Sequence, residues 1–161
     1  MKDEQDLKQT IDRYADIVKR ICVVYLKNQV DTEDIFQNVF LKYVRSSALF
    51  ESEEHKKAFL IRVTINECKD FLKSFFRKNM VSIDEVSEMQ APSDFDENAY
   101  VRQAVLALPE KYKIVIYLHY FEGYSAVEIG KMLSKNVNTV YTLMARGREM
   151  LKETLGGDLY E

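Results

Sequence analysis

Residues that interrupt helices are scarce in this sequence, which has only five glycines and two prolines among its 161 residues. Lysine, glutamate, leucine, isoleucine and valine recur at helical spacing instead, and this composition predicts an all-α protein. Two cysteines are too few for a disulfide framework. Cys22 and Cys68 both fall on predicted apolar helix faces, which favours buried free thiols. No apolar run approaches the length of a membrane span, and the first residues, MKDEQD, lack a signal-peptide pattern. We therefore expect a cytoplasmic protein without membrane insertion.

The sequence also lacks the motifs of common enzyme and metal sites. Its two histidines, His55 and His119, lie in different halves of the chain, and it contains no Cys-x-x-Cys, His-x-x-x-His or glycine-rich phosphate loop. We predict no catalytic residues, no metal site and no cofactor, and the protein is not expected to be an enzyme.

Charge is distributed unevenly along the chain, whose formal net charge is −3. Residues 81–99 contain no base, and their six acids are Asp84, Glu85, Glu88, Asp94, Asp96 and Glu97. Pro92 and three serines lie in the same segment, and both flanking halves are mildly basic. This pattern predicts two small helical domains, residues 1–80 and 100–161, joined by an acidic linker at 81–99. An ordinary surface loop is the alternative interpretation of the segment.

Three amphipathic helices are predicted in the N-terminal half. The first spans about residues 6–27, the second begins at an Asp31 cap, and the third runs from a Ser52 cap to about residue 78. On the second helix, opposite its core stripe, three residues share a face: Asp34, Gln37 and Leu41. This face is either a partner-binding surface or a polar face with one incidental exposed leucine.

The third helix has two separate stripes. An apolar seam consists of Ala58, Ile61, Ile65, Cys68, Leu72 and Phe75. A basic stripe consists of Arg62, Asn66, Lys69, Lys73 and Arg77. Bases neutralise phosphate, and Phe71, Phe75 and Phe76 beside them can stack on unpaired nucleobases, a combination that suits single-stranded nucleic acid. A solvated charged face above core phenylalanines is the alternative.

Four shorter helices are predicted in the C-terminal half. Two of them, at about 99–108 and 110–121, flank Pro109, and Phe121 is placed among their buried positions. Ser125 and Glu128 form a capping box for the next helix, and Asn136 caps the last one. The last helix leaves an outer face of Asn138, Tyr141, Thr142, Ala145 and Arg146. The pattern fits a helix-turn-helix in the DNA major groove, and a plain helical hairpin is the alternative.

Three segments, taken in order, are similar to a known family. They are DTEDIFQNVFLKYV (31–44), AFLIRVTINECKDFLKSFFRK (58–78) and LPEKYKIVIYLHYFEGYSAVEIGKMLSKNVNTVYTLMARGREMLKE (108–153). Over roughly residues 8–155, the chain resembles the extracytoplasmic-function (ECF) sigma factors, the smallest promoter-recognition subunits of bacterial RNA polymerase. The resemblance implies a protein that binds core polymerase, recognises the −35 and −10 promoter elements and promotes DNA melting.

The resemblance also implies a role for each surface. Residues 1–80 correspond to sigma domain 2, and a face on them docks on the clamp helices of the polymerase β′ subunit. That face consists of Asp34, Gln37, Phe40 and Leu41. The residues that hold the opened −10 element are Arg62, Asn66, Lys69, Lys73 and Arg77. A loop at about residues 46–52 captures a flipped-out −10 base through Leu49 and Phe50.

Residues 100–161 correspond to sigma domain 4, which recognises duplex −35 DNA. The implied contact residues are Ser125, Asn138, Thr139, Tyr141, Thr142, Ala145 and Arg146. The acidic linker corresponds to the segment that threads toward the polymerase active-site cleft. The resemblance further implies contact with the polymerase β subunit and restraint by an anti-sigma factor.

The sequence departs from the family pattern at three positions. Tyr141 and Leu143 stand where the family commonly has a base, and Ser134 occupies a turn position that is often glycine. A tyrosine cannot make the bidentate contact to guanine that arginine makes, so Arg146 is the best candidate for a strong polar contact. The alternative function is a helix-turn-helix regulator that works without polymerase.

Overall fold

A computed structural model describes residues 2–26, 28–79 and 99–156. The chain divides into two compact units, residues 1–89 and 90–161. All regular elements within the described ranges are helices, which confirms the predicted all-α class. The predicted linker lies outside these ranges, apart from residue 99. Within the same ranges, none of the helices combines the length and hydropathy that a bilayer span requires.

The first unit is built from three helices that pack against one another: α1 (Glu4–Tyr25), α2 (Gln29–Arg45) and α3 (Glu53–Asn79). Its core contains Cys22 and Cys68, which are buried and form no disulfide, as predicted. On α3, Leu60 and Thr64 are fully buried beside the seam residues Ile61, Ile65 and Cys68. The other seam residues, Ala58, Leu72 and Phe75, are half-buried. The extra buried positions arise because α3 packs against both α1 and α2, so its covered face is wider than a single stripe.

The helix starts differ in part from the predictions. Ser52 caps α3 as predicted, because its hydroxyl accepts a hydrogen bond from the backbone N–H of His55 at 3.1 Å. The predicted Asp31 cap of α2 is wrong. Asn28 is the cap, and its side chain accepts from the N–H groups of Val30 (2.8 Å) and Asp31 (3.2 Å). Asp31 therefore lies in the first turn, where an acid interacts favourably with the helix dipole.

The second unit contains α4 (Ala99–Leu106), α5 (Glu110–Ile116), a π-helix (Tyr117–Phe121), α6 (Ala126–Leu133) and α7 (Val137–Leu155). The predicted helix at 110–121 is thus α-helical only as far as Ile116. In the π-helix, the N–H of Glu122 donates to the carbonyl of Tyr117, five residues back, at 3.3 Å. The wider turn changes the direction of the following side chains. Phe121, predicted to be buried, is 45% exposed.

Helix α7 is the centre of this unit, since it packs against α4, α5 and α6. Gly147 allows α7 to approach α5 closely, because a Cβ atom at this position would lie only 2.9 Å from Cγ1 of Ile116. The close approach fixes which face of α7 is covered. Its buried residues are Val140, Leu143, Met144, Gly147 and Leu151.

Candidate polymerase and promoter surfaces

The predicted polymerase face on α2 is exposed in three of its four members. Asp34, Gln37 and Leu41 all face solvent, and Leu41 is 48% exposed. Phe40 is only 4% exposed and packs against Phe36, with ring centroids 4.9 Å apart. The assignment of Phe40 to this surface is therefore corrected: its side chain belongs to the core, because the helix turns it a quarter-turn away from Leu41.

The same face extends one turn further toward the start of α2. Val30 is 66% exposed and precedes Asp34 by four residues, so the two side chains are neighbours on the helix surface. Sequence reasoning missed Val30 because it placed this residue in a break before the helix. Asp31, three residues before Asp34, adds a second acid to this surface. Burial raises the pKa of its carboxyl, and the negative charge of Asp34 raises it further. The face therefore combines exposed apolar side chains with carboxylates.

The basic stripe of α3 is accessible. Arg62, Asn66, Lys73 and Arg77 are exposed and Lys69 is half-buried. The residues follow one another at spacings of three and four, which aligns them along one side of the helix. Beside them, Phe71 and Phe75 stack with centroids 6.0 Å apart, and Phe75 meets Phe76 edge-on at 5.5 Å. All three rings are half-buried, so each still presents part of its surface to solvent.

The loop at residues 46–52 separates its two predicted base-capture residues. Leu49 is 90% exposed at the loop tip. Phe50 is half-buried and packs on three rings: Tyr43 at 6.0 Å, His55 at 5.3 Å and Phe59 at 5.1 Å between centroids. Leu49 is therefore available to a ligand, whereas Phe50 anchors the loop.

The two ends of α6 set up the helix-turn-helix. The predicted capping box is present, since Ser125 Oγ accepts from the N–H of Glu128 at 3.2 Å and the N–H of Ser125 donates to Glu128 Oε1 at 2.9 Å. The hydrogen bond from the Ser125 backbone lowers the pKa of the Glu128 carboxyl. Ser125 itself is exposed, so it combines the capping role with access to a partner.

The turn after α6 is tight. Ser134 has the left-handed backbone conformation (φ 56°), which explains why glycine is common there in the family it resembles. Gly130 faces the carbonyl oxygen of Lys135, which would lie only 2.7 Å from a Cβ atom. Asn136 then caps α7 as predicted, accepting from the N–H of Asn138 at 2.7 Å.

The residues of α7 that were predicted to contact −35 DNA lie on its exposed face. Its exposed members are Asn138, Thr139, Tyr141, Thr142, Ala145 and Arg146. Leu143, noted as a departure from the family pattern, is only 9% exposed and packs in the core. Of the two departures on α7, only Tyr141, which is 56% exposed, lies at the surface.

The two histidines serve the fold. His55 Nδ1 accepts a hydrogen bond from the N–H of Glu51 at 3.2 Å, which helps to close the loop before α3. His119 Nδ1 lies 2.8 Å from the carbonyl oxygen of Tyr124 and donates to it. Within the described part of the chain, no three His, Cys, Asp or Glu side chains are grouped as metal ligands.

Two family models match the chain. Sigma-70 region 2 matches residues 10–77, and Sigma-70, region 4 matches residues 98–151. Together they cover most of both units, including the basic stripe of α3 and the helix-turn-helix of α6 and α7. Fold and sites therefore define an RNA polymerase sigma factor, which is an initiation factor and not an enzyme.

Curated relatives give the family within this class. The chain is 29% identical to the ECF RNA polymerase sigma factor SigW of Bacillus subtilis, over 95% of this chain and 90% of that protein. It is also 29% identical to the RNA polymerase sigma factor SigV of the same organism, over 83% and 81% respectively. This chain belongs to the ECF sigma factors of bacterial RNA polymerase: it binds core polymerase, recognises −35 and −10 elements and promotes promoter melting.

Solved structures agree in fold. Sigma factor RpoE of Bartonella quintana, crystallised with the anti-sigma factor NepR, matches with a TM-score of 0.77 at 20% identity, covering 96% of this chain and 99% of RpoE. CnrH, in complex with the cytosolic domain of CnrY, matches with a TM-score of 0.67 at 19% identity, covering 98% and 92%.

Proposed function

We propose that the sigma-factor activity is divided among three surfaces. The α2 face (Val30, Asp34, Gln37 and Leu41) binds the β′ clamp helices. The α3 stripe, with Leu49, holds the opened −10 strand. The outer face of α7 contacts the duplex −35 element. Residues 1–80 and 100–161 then act as sigma domains 2 and 4, joined by the acidic segment 81–99, and the β subunit is a further contact.

The separation of the two faces of α3 carries this proposal. The seam residues Ile61, Ile65 and Cys68 are at most 1% exposed, whereas most of the basic stripe faces solvent. A basic row that lies outside the apolar seam can neutralise phosphates. Half-buried phenylalanines at its end add ring surface on which unpaired bases can stack. This combination suits a single strand better than a closed duplex.

The direct test is run-off transcription of a genomic library by bacterial core polymerase with and without the protein. We expect transcripts that require both, and their start sites define the −35 and −10 sequences. A helix-turn-helix regulator that works without polymerase would instead bind specific duplexes alone and would not direct the core enzyme to new start sites.

We also propose that an anti-sigma factor restrains the protein in the cytoplasm, where polymerase and chromosome are found. RpoE and CnrH are similar to this chain in fold. The structure of RpoE was solved in complex with NepR, and that of CnrH in complex with the cytosolic domain of CnrY. Exposed apolar side chains on both units, such as Leu41 and Phe121, offer contact area for such a partner. Purification of the tagged protein from its own cells, with and without core polymerase, tests whether a second small protein replaces the polymerase.

A further inference from the structure

Lys2 ties the start of the chain to the loop at residues 46–52. Its ammonium group donates to the carbonyl oxygens of Ser46 at 2.7 Å and Ala48 at 3.2 Å. Its backbone N–H donates to the carbonyl of Val44, at the end of α2, at 3.0 Å. Lys2 therefore forms hydrogen bonds to Val44, Ser46 and Ala48, along the stretch that leads from α2 into the loop.

The same ammonium group also lies over two aromatic rings. It is 4.9 Å from the centroid of Tyr43 and 5.3 Å from that of Phe50, within the range of cation–π attraction. Tyr43 is fully buried, and its hydroxyl donates to the carboxylate of Asp6 and lies 3.1 Å from the hydroxyl of Thr10. Lys2 thus lies over an aromatic ring whose hydroxyl is held by hydrogen bonds to α1.

These contacts hold the loop on both sides of its tip. The carbonyl of Ala48 is bound by Lys2, and the ring of Phe50 is packed among Tyr43, His55 and Phe59. Leu49, between these two anchors, is 90% exposed. An apolar side chain held out into water by fixed neighbours is prepared to meet a ligand without a further ordering cost.

We propose that Lys2 is a positioning residue for −10 recognition. It keeps the loop in the shape that presents Leu49 to the flipped-out base, and it does not itself contact that base. The proposal rests on the proposed function of the loop, which takes up an unpaired −10 base. Without the lysine, the loop loses this shape and must regain it when DNA binds. The affinity for DNA that comes from the flipped-out base is then reduced more than the affinity that comes from other bases.

The test is a thermodynamic cycle on holoenzyme assembled from core polymerase and the full chain. Fork DNA carrying a promoter from the run-off experiment is made with an abasic site at each −10 position in turn. We expect the wild type to lose at least about fivefold in affinity at one position, because the apolar contact between Leu49 and the base is lost. In Lys2→Met, the abasic penalty at that position should fall to less than half of the wild-type factor, while penalties elsewhere stay unchanged.

Two further variants sharpen the result. Lys2→Arg keeps a cation that can donate to both carbonyls, and it should restore most of the base-specific penalty. Lys8→Met removes the same charge from an exposed position of α1 and should leave the penalty at the wild-type factor. Thermal unfolding of each variant is measured in parallel, so that a loss of folded protein is seen directly.

Each outcome separates the positioning role from the function on which it rests. If no abasic site weakens wild-type binding, the loop does not take up a base and the proposed function of the loop is wrong. If the wild type shows the penalty and Lys2→Met keeps it, the lysine does not position the loop. Equal weakening of intact and abasic DNA, or a variant that does not fold, makes Lys2 a structural or electrostatic residue and overturns the proposal.

Discussion

The hydroxyl of Thr142 donates a hydrogen bond to the carbonyl oxygen of Asn138, one turn earlier on α7, at 3.0 Å. The hydroxyl hydrogen is therefore used within the helix, and Thr142 presents its methyl group and the acceptor lone pairs of its oxygen to the outside. Ala145, on the same side of the next turn, adds a second exposed methyl group. The middle of the α7 surface is thus better suited to thymine methyl groups than to guanine edges.

We predict that thymine methyl groups contribute to −35 recognition. Replacing −35 thymines by uracil removes only the methyl group and should weaken holoenzyme binding about fourfold for each methyl that is buried against α7. In Thr142→Ser, which keeps the hydroxyl, the effect of uracil should disappear at one position. Binding titrations on matched duplexes measure both quantities, and equal affinity of the wild type for both duplexes would contradict the prediction.

The α2 face should affect polymerase binding and not folding. Gln37→Ala and Leu41→Ala should change the free energy of unfolding by less than about 0.5 kcal/mol, because both side chains are exposed. Both should weaken the assembly of holoenzyme, and so should Val30→Ala. The matched control is Phe40→Ala, which should cost about 3–5 kcal/mol of folding stability through the cavity it leaves. A large loss of stability in Leu41→Ala with unchanged polymerase affinity would refute the assignment.

Different substitutions should impair promoter opening and recognition of the −35 duplex. Lys73→Ala and Arg77→Ala should reduce opening, because these side chains neutralise phosphates beside unpaired bases. Arg146→Ala should instead lower affinity for the −35 duplex, by about 1–3 kcal/mol if the arginine contacts a base edge. Permanganate footprinting measures opening, and a template that is already melted at −10 should not restore Arg146→Ala. The same opening defect in all three variants would argue against this division.

Stability of the first unit should fall in acid. The hydrogen bond from Tyr43 lowers the pKa of Asp6 from its ordinary 3.8, and the hydrogen bond from Tyr14 lowers the pKa of Glu53 from 4.5. Because the folded protein binds these protons less readily than the unfolded chain, the stabilisation is complete above the ordinary pKa values. It is lost as the pH falls through them and below.

Thermal unfolding followed between about pH 3 and 6 measures this dependence. Asp6→Asn should make the decline of the melting temperature in acid shallower, since one of the linked protons is removed. Asp12→Asn, at an exposed position of the same helix, is the control and should leave the slope at its wild-type value. A slope that is the same in all three proteins would mean that Asp6 does not contribute.

The acids of the linker should weaken DNA binding by the free protein. Residues 81–99 contain six acids and no base, and a tethered acidic segment competes with phosphate for basic surfaces. The full chain with these six acids changed to Asn or Gln should bind −35 duplex more tightly than the wild type at matched low salt. In holoenzyme the difference should shrink, because we expect polymerase to draw the linker into its own basic cleft. Equal affinity of the two free proteins would show that the linker does not compete.

Much of the fold could be predicted because helices carry local signals. The capping box of Ser125 and Glu128 and the cap at Asn136 depend on neighbours within three residues, and the structure contains all of them. The start of α2 was wrong because Asn and Asp are equally good caps, so residue type does not choose between Asn28 and Asp31. Because Asn28 is the cap, Val30 lies within the helix and on the α2 face.

Features that depend on tertiary packing were less predictable. Lys113 is only 5% exposed, although its residue type suggests a surface position. The contact of Lys2 with Ser46 joins residues far apart in sequence, and no periodic pattern indicates it. Leu143 was compared with the family by residue type alone, and only packing around α7 shows that it belongs to the core.

The π-helix Tyr117–Phe121 continues directly from α5 and ends before the turn that leads to α6. A π turn holds one residue more than an α turn. A relative that lacks it should align with this chain only through a one-residue gap between positions 117 and 121. Deleting one residue here would allow an ordinary α turn to form while the residues that follow keep nearly their present direction. The π turn can thus absorb a one-residue difference in length between relatives. A sequence alignment that ignores this difference will place the residues on one side of the turn one position out of register.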